Sequence, residues 1–147
     1  MSEKKIYVIS HCLLNPEARV KGIKKPMPFQ TADAFGNPKR IIQLPCPETL
    51  YLGTDRPTNT KTSLDSADFR KICSNLFLPF ADIIEMFEKD GFEIELIGVS
   101  KSPSCGVFKT TVSANQNCDE VINGTGIFFE EIEKELKMRG ISYILNE

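Results

Sequence analysis

A chain of 147 residues, 41% hydrophobic and 26% charged, is sized for one domain (residues 1–147) with a core that needs no staples. A formal net charge of -2, with no long Lys/Arg cluster, argues against nucleic acid as a partner, and no stretch approaches the ~20 apolar residues of a membrane span. The start, Met1-Ser2-Glu3-Lys4-Lys5, does not read as a secretion signal, so the expected compartment is the cytoplasm. There, Cys12, Cys46, Cys73, Cys105 and Cys118 favour metal or catalytic roles over disulfides.

In chain order, Ile6-Tyr7-Val8-Ile9 is a short apolar run of the kind a parallel strand covered on both faces shows. It ends in Ser10-His11-Cys12-Leu13-Leu14-Asn15-Pro16, where Asn-Pro signals a turn. Residues 17–40 carry weak periodicity broken by Pro26, Pro28, Gly36 and Pro38, with one short helix expected around Gln30 to Ala34. Lys21, Lys24 and Lys25 in this stretch read as a solvated basic loop. Ile41-Ile42-Gln43-Leu44 is the second strand, stopped by Pro45-Cys46-Pro47-Glu48, and residues 53–64, rich in Thr, Asp, Asn and Pro, read as a long surface loop.

Ser66-Ala67-Asp68 starts a helix, with Phe69, Ile72, Cys73, Leu76 and Phe77 at helical spacing. Pro79 is expected to open a second helical segment that carries Ala81, Ile83, Ile84 and Phe87 and stops at Gly91. Glu93 to Val99 is the third strand. It breaks into Lys101-Ser102-Pro103-Ser104-Cys105-Gly106, and Lys109 to Asn123 is polar and weakly patterned. A helix from about Thr125 to Met138 and a short strand over Ser142 to Leu145 complete the chain. Strands alternating with helices give an α/β domain: a mostly parallel sheet of about four or five strands, helices on both faces, right-handed crossovers.

Cys12, Cys46 and Cys105 each lie just past a strand end. In a parallel sheet this brings three thiols to the carboxyl edge, where ligands bind. Cys73 falls on an apolar helix face and Cys118 in a polar segment, so neither belongs to that group. Three thiols at one edge suit zinc, a redox pair plus a spare, or an iron–sulfur cluster. His11 offers a Cys3His set for zinc, although neighbours in an extended segment point to opposite sides. Absence of a C-x-x-C pair weighs against a thiol oxidoreductase. Spacing alone leaves the choice open.

Cys12-Leu13-Leu14, Pro45-Cys46-Pro47-Glu48 and Lys101-Ser102-Pro103-Ser104-Cys105-Gly106, in that order and at strand ends, resemble the thiouracil desulfidase family over nearly the whole chain. Asn15 to Gly22, and Thr49 to Gly53 after Cys-Pro-Glu, depart from the family's usual glycine-rich segments, which marks a divergent branch. The resemblance implies an oxygen-sensitive [4Fe-4S] cluster bound by Cys12, Cys46 and Cys105. It also implies non-redox removal of sulfur from a small thiolated pyrimidine or related thiocarbonyl compound. One iron without a protein ligand then serves as a soft Lewis acid.

On this reading Glu48 is the candidate base, with helix capping as its structural alternative. Ser102 and Ser104 are candidate proton relays, Ser102 the favoured one. Lys101, Asn15 and Arg19 are candidate substrate contacts. The rival reading is a non-catalytic metal-binding or sulfide-binding module, a carrier or redox sensor, in which Glu48 is dispensable and the three cysteines are not.

Overall fold

The structure, a computed structural model, describes residues 4–20, 22–23, 29–115 and 118–147. The basic group Lys21, Lys24 and Lys25 lies outside the described residues.

Four strands, β1 (Lys5–Ile9), β2 (Ile41–Gln43), β3 (Glu93–Ile97) and β6 (Ile144–Asn146), form one sheet in the order β2-β1-β3-β6 with every neighbouring pair parallel. The mixed α/β class with a mostly parallel, helix-flanked sheet is therefore as expected. Ile6 pairs with Ile94 and Val8 with Leu96, so these four side chains share a face, and all four are buried. Tyr7 and Glu95, paired on the opposite face, are only half-buried. The connection from β1 to β2 explains this. Two 3-10 turns, His11–Leu13 and Pro16–Ala18, are its only helical pieces among the described residues, so that face has a thin cover. Lys5 and Lys39 lie over the Tyr7 ring there.

The helices are α1 (Pro47–Leu52), α2 (Lys61–Leu64), α3 (Ala67–Lys89) and α4 (Ile127–Met138). Ser66 caps α3 by accepting from the Phe69 N–H at 3.0 Å, and Phe69, Cys73, Phe77, Ala81 and Ile84 fall on its buried stripe. From α4 come Ile127, Phe128, Phe129, Ile132 and Leu136, and the two long helices pack together over the same apolar cluster.

Several expected elements differ. Pro79 does not start a second helix: α3 runs unbroken for 23 residues with Pro79 inside it, on the exposed side. The lost hydrogen bond faces solvent, and the continuous buried stripe outweighs it. Residues 30–34 form no helix. A turn joins Ala32 to Pro38 by a bridge, with Asp33 accepting from the Phe35 and Asn37 N–H groups. The polar piece 109–123 is an antiparallel pair, β4 (Lys109–Asn115) and β5 (Cys118–Asn123). The loop 53–64 contains α2, held by a Thr60–Ser63 capping box. The last strand begins two residues later than expected, at Ile144.

Candidate active site

β1 and β3 are neighbours, yet the chain leaves them for opposite sides of the sheet, to β2 and to β6. The crevice at their carboxyl ends is thus a topological switch point. A cleft of about 280 Å³ opens there, and Cys12, Cys46 and Cys105 all line it. Cys12 sits in the 3-10 turn after β1. Cys46 is the N-cap of α1, its Sγ accepting from the Thr49 N–H at 3.4 Å. Cys105 lies in the loop after β3 and is 6% exposed. All three are free thiols. Burial pushes the Cys12 thiol up to about 11, with Cys46 adding to the rise and Arg19 opposing it. Burial also raises Cys105 well above the ordinary thiol range, and Cys46 and Cys12 push it further. Cys46 thus stands close enough to Cys12, and both close enough to Cys105, for charge on one sulfur to disfavour charge on the next.

The loop from Gly98 to Phe108 owes its shape to backbone contacts. Val99 N–H donates to Cys105 O at 2.8 Å, and Gly106 N–H to Ser102 O at 3.1 Å. The first N–H groups of α4 supply the rest: Ile127 donates to Pro103 O at 3.0 Å and Phe129 to Ser104 O at 3.2 Å. This also explains why α4 needs no side-chain cap. Close approach requires glycine here, as two positions show. A Cβ at Gly106 would lie 2.1 Å from Lys109 O, and one at Gly126 would lie 2.4 Å from the Ser104 carbonyl carbon. Lys101 sits at the rim with φ 71, the one described non-glycine residue in the left-handed region, and its carbonyl accepts from Thr111 Oγ1.

The two serines have different surroundings. Ser102 Oγ accepts from the Cys105 N–H at 3.0 Å and the Ser104 N–H at 3.4 Å, which is a turn-capping role. Ser104, 1% exposed, donates its hydroxyl to Glu48 Oε2 at 2.5 Å and stands 3.8 Å from Cys105 Sγ. Glu48, in the first turn of α1, is 4% exposed. Its carboxylate does not cap the helix: Oε2 holds Ser104 and Oε1 faces Arg56 Nε at 3.7 Å. Arg19 lines the cleft beside Cys12. Asn15 is turned away from the lining, accepting from the Glu17 N–H and bonding to His11 Nε2.

His11 is likewise absent from this lining, and among the described residues no three His, Cys, Asp or Glu side chains stand close enough to hold one metal ion. Cys73 and Cys118 are not in the cleft. The sequence reading missed Arg56, Asn59 and Thr111, which line it. Arg56 lay in an apparent surface loop, and its burial depends on Ala18 O, 38 residues away, so no local signal marks it. Thr111 sits on β4, whose pattern was too polar to read as a strand.

The chain is thus a parallel α/β sheet with a thiol-lined cleft at its switch point, backed by a buried carboxylate and hydroxyl. The family model described as "Putative 2-thiouracil desulfurase" matches residues 4–142, and the chain belongs to that family. An uncharacterised protein of Methanocaldococcus jannaschii is 32% identical over 156 aligned positions, covering all of this chain and 90% of the relative. Among solved structures, a [4Fe-4S]-dependent thiouracil desulfidase shares the fold, with a TM-score of 0.59 and 19% identity over 96% of this chain and 90% of that one.

Proposed function

We propose that this chain is an iron–sulfur-dependent desulfidase, which removes sulfur hydrolytically from a thiolated pyrimidine or related thiocarbonyl compound. Cys12, Cys46 and Cys105 are the ligands of a [4Fe-4S] cluster. The donor set supports this: three soft thiols line one cleft, each disfavouring charge on its neighbours, the kind of ligand an iron–sulfur cluster takes. When bound, such a cluster supplies one Lewis-acidic iron without a protein ligand, a partner for a thiocarbonyl sulfur.

Glu48 takes a proton from the water that attacks the thiocarbonyl carbon, and Ser104 holds the carboxylate in place and passes a proton at Oε2. Arg19 and Lys101 flank the cleft mouth as cationic contacts for the substrate's oxygen atoms. The balance is one thiocarbonyl and one water giving one carbonyl product and one hydrogen sulfide. No electrons are exchanged. Free thiols and a cluster of this kind fit a reducing, cytoplasmic setting, and the oxygen sensitivity expected of an open iron follows.

The observation that carries the proposal is the 2.5 Å Ser104–Glu48 hydrogen bond inside the same cleft as the three thiols. A carrier or sensor has no use for a buried acid–hydroxyl pair beside its ligands. The test is sulfide release from 2-thiouracil by protein purified without oxygen. Sulfide and uracil in equal amounts are expected, and a cluster-loaded protein that releases no sulfide from thiouracil or thiouridine contradicts the substrate assignment.

A further inference from the structure

Among the described residues, Glu48 and Arg56 are the two charged side chains that are buried, at 4% and 3% exposure. Both line the cleft. Each also has a polar atom without a hydrogen bond, Glu48 Oε1 and Arg56 Nε, and these two atoms face each other at 3.7 Å. The remainder of the guanidinium is fully engaged. Nη1 donates to Thr49 Oγ1 at 3.1 Å and to Gly53 O at 3.3 Å. Nη2 donates to Ala18 O at 2.7 Å and reaches Cys46 Sγ at 4.0 Å. One planar cation thus touches the proposed base, one proposed ligand sulfur, the end of α1 and the turn that follows Cys12.

We propose that Arg56 is the positioning residue of this site, holding the Glu48 carboxylate aimed while its Nη2 supports the Cys46 sulfur as a ligand. The inference rests on the desulfidase reading above and adds a residue to it. A buried carboxylate beside three thiolates gathers negative charge in a low-dielectric cleft, and a cation at its back offsets that. Fork geometry matters as much as charge: only a planar guanidinium presents Nε to the carboxylate while Nη2 is turned to a sulfur. Donors and positive charge beside a cluster sulfur stabilise its reduced, more negative form and so raise its potential.

The experiment uses the full chain loaded without oxygen, with iron content, midpoint potential from an electron-paramagnetic-resonance redox titration, and kcat and KM for 2-thiouracil measured on each variant. Arg56→Gln is expected to keep its iron, to shift the midpoint to more negative potential, and to lose about 10- to 100-fold in kcat with KM changed less than about threefold. Arg56→Lys keeps the charge without the fork, and it is expected to lose kcat as well. If Arg56→Gln does not fold, the lysine variant decides. Wild-type potential and wild-type kcat in an iron-loaded Arg56 variant overturn the proposal, because a merely structural arginine moves neither. Wild-type protein that takes up no iron sinks the cluster reading itself, and this inference with it.

Discussion

Ser104 and Ser102 stand two residues apart on the same turn and do different things. Ser102 spends its hydroxyl on the Cys105 and Ser104 N–H groups, whereas Ser104 donates its hydroxyl hydrogen bond to Glu48. Which of the two does chemistry was beyond the sequence, where Ser102 looked the better candidate; the geometry supports Ser104. Ser104→Ala is expected to lower kcat about 100-fold or more while leaving the cluster's visible spectrum in place. Ser102→Ala is expected to cost about 0.5–1.5 kcal/mol of stability, read from chemical denaturation, with a smaller loss of kcat. The thiols allow a second check at this scale. Cys12, raised to about 11 from an ordinary 9.0 by burial first, keeps its proton to higher pH folded than unfolded. Metal-free protein therefore keeps that stability contribution below about pH 9 and loses it as pH rises through about 11. Alkylation of Cys12 in metal-free protein should be negligible at pH 7 and gain about tenfold per pH unit toward that value. Fast alkylation at pH 7 contradicts this account of the thiol's surroundings.

At the scale of elements, the strands that position the site were readable from short local patterns ended by turn residues: a continuous apolar run in Ile6 to Ile9, an apolar pair at Ile41-Ile42, and alternation in Glu93 to Ile97. The helix α3 was readable in its caps and stripe but not in its continuity. A proline normally ends a helix, and only the shared burial of Phe77 before it and Ala81 and Ile84 after it carries the helix through. Because Pro79 is exposed and contributes no core contact, Pro79→Ala is expected to raise stability by about 1 kcal/mol or more through the restored helical hydrogen bond, without effect on the cleft. An unchanged or lowered thermal midpoint counts against that reading. The hairpin β4–β5 escaped sequence reading because its strands are largely exposed, so neither alternation nor an apolar run marks them. Its ladder and its contact with α2, through Thr60–Ser113 and the Ser113 N–H to Thr62, supply what the pattern lacks. At α4, Gly126→Ala puts a methyl group into the Ser104 backbone. It should both destabilise the fold and loosen the loop that carries Cys105, and an unperturbed variant would argue against the tight junction.

For the whole molecule, the arrangement follows from strand order. Three cysteines separated by 34 and 59 residues come to one cleft because β2, β1 and β3 are adjacent and parallel, and each cysteine follows a strand's carboxyl end. That much was readable from motif positions alone. What escaped was everything set by long-range packing: Arg56 behind Glu48, the α2–hairpin wall with Asn59 and Thr111, and the turning of Asn15 and His11 toward each other. Local sequence carries the three thiols, and the folded chain decides which charges stand beside them. The most direct test of the central claim is the iron and acid-labile sulfide content of protein reconstituted without oxygen, compared across single Cys→Ser variants. The account predicts about four of each per chain in the wild type and in Cys73→Ser and Cys118→Ser, with loss in Cys12→Ser, Cys46→Ser and Cys105→Ser. One zinc per chain, or full iron retained in those last three variants, contradicts it.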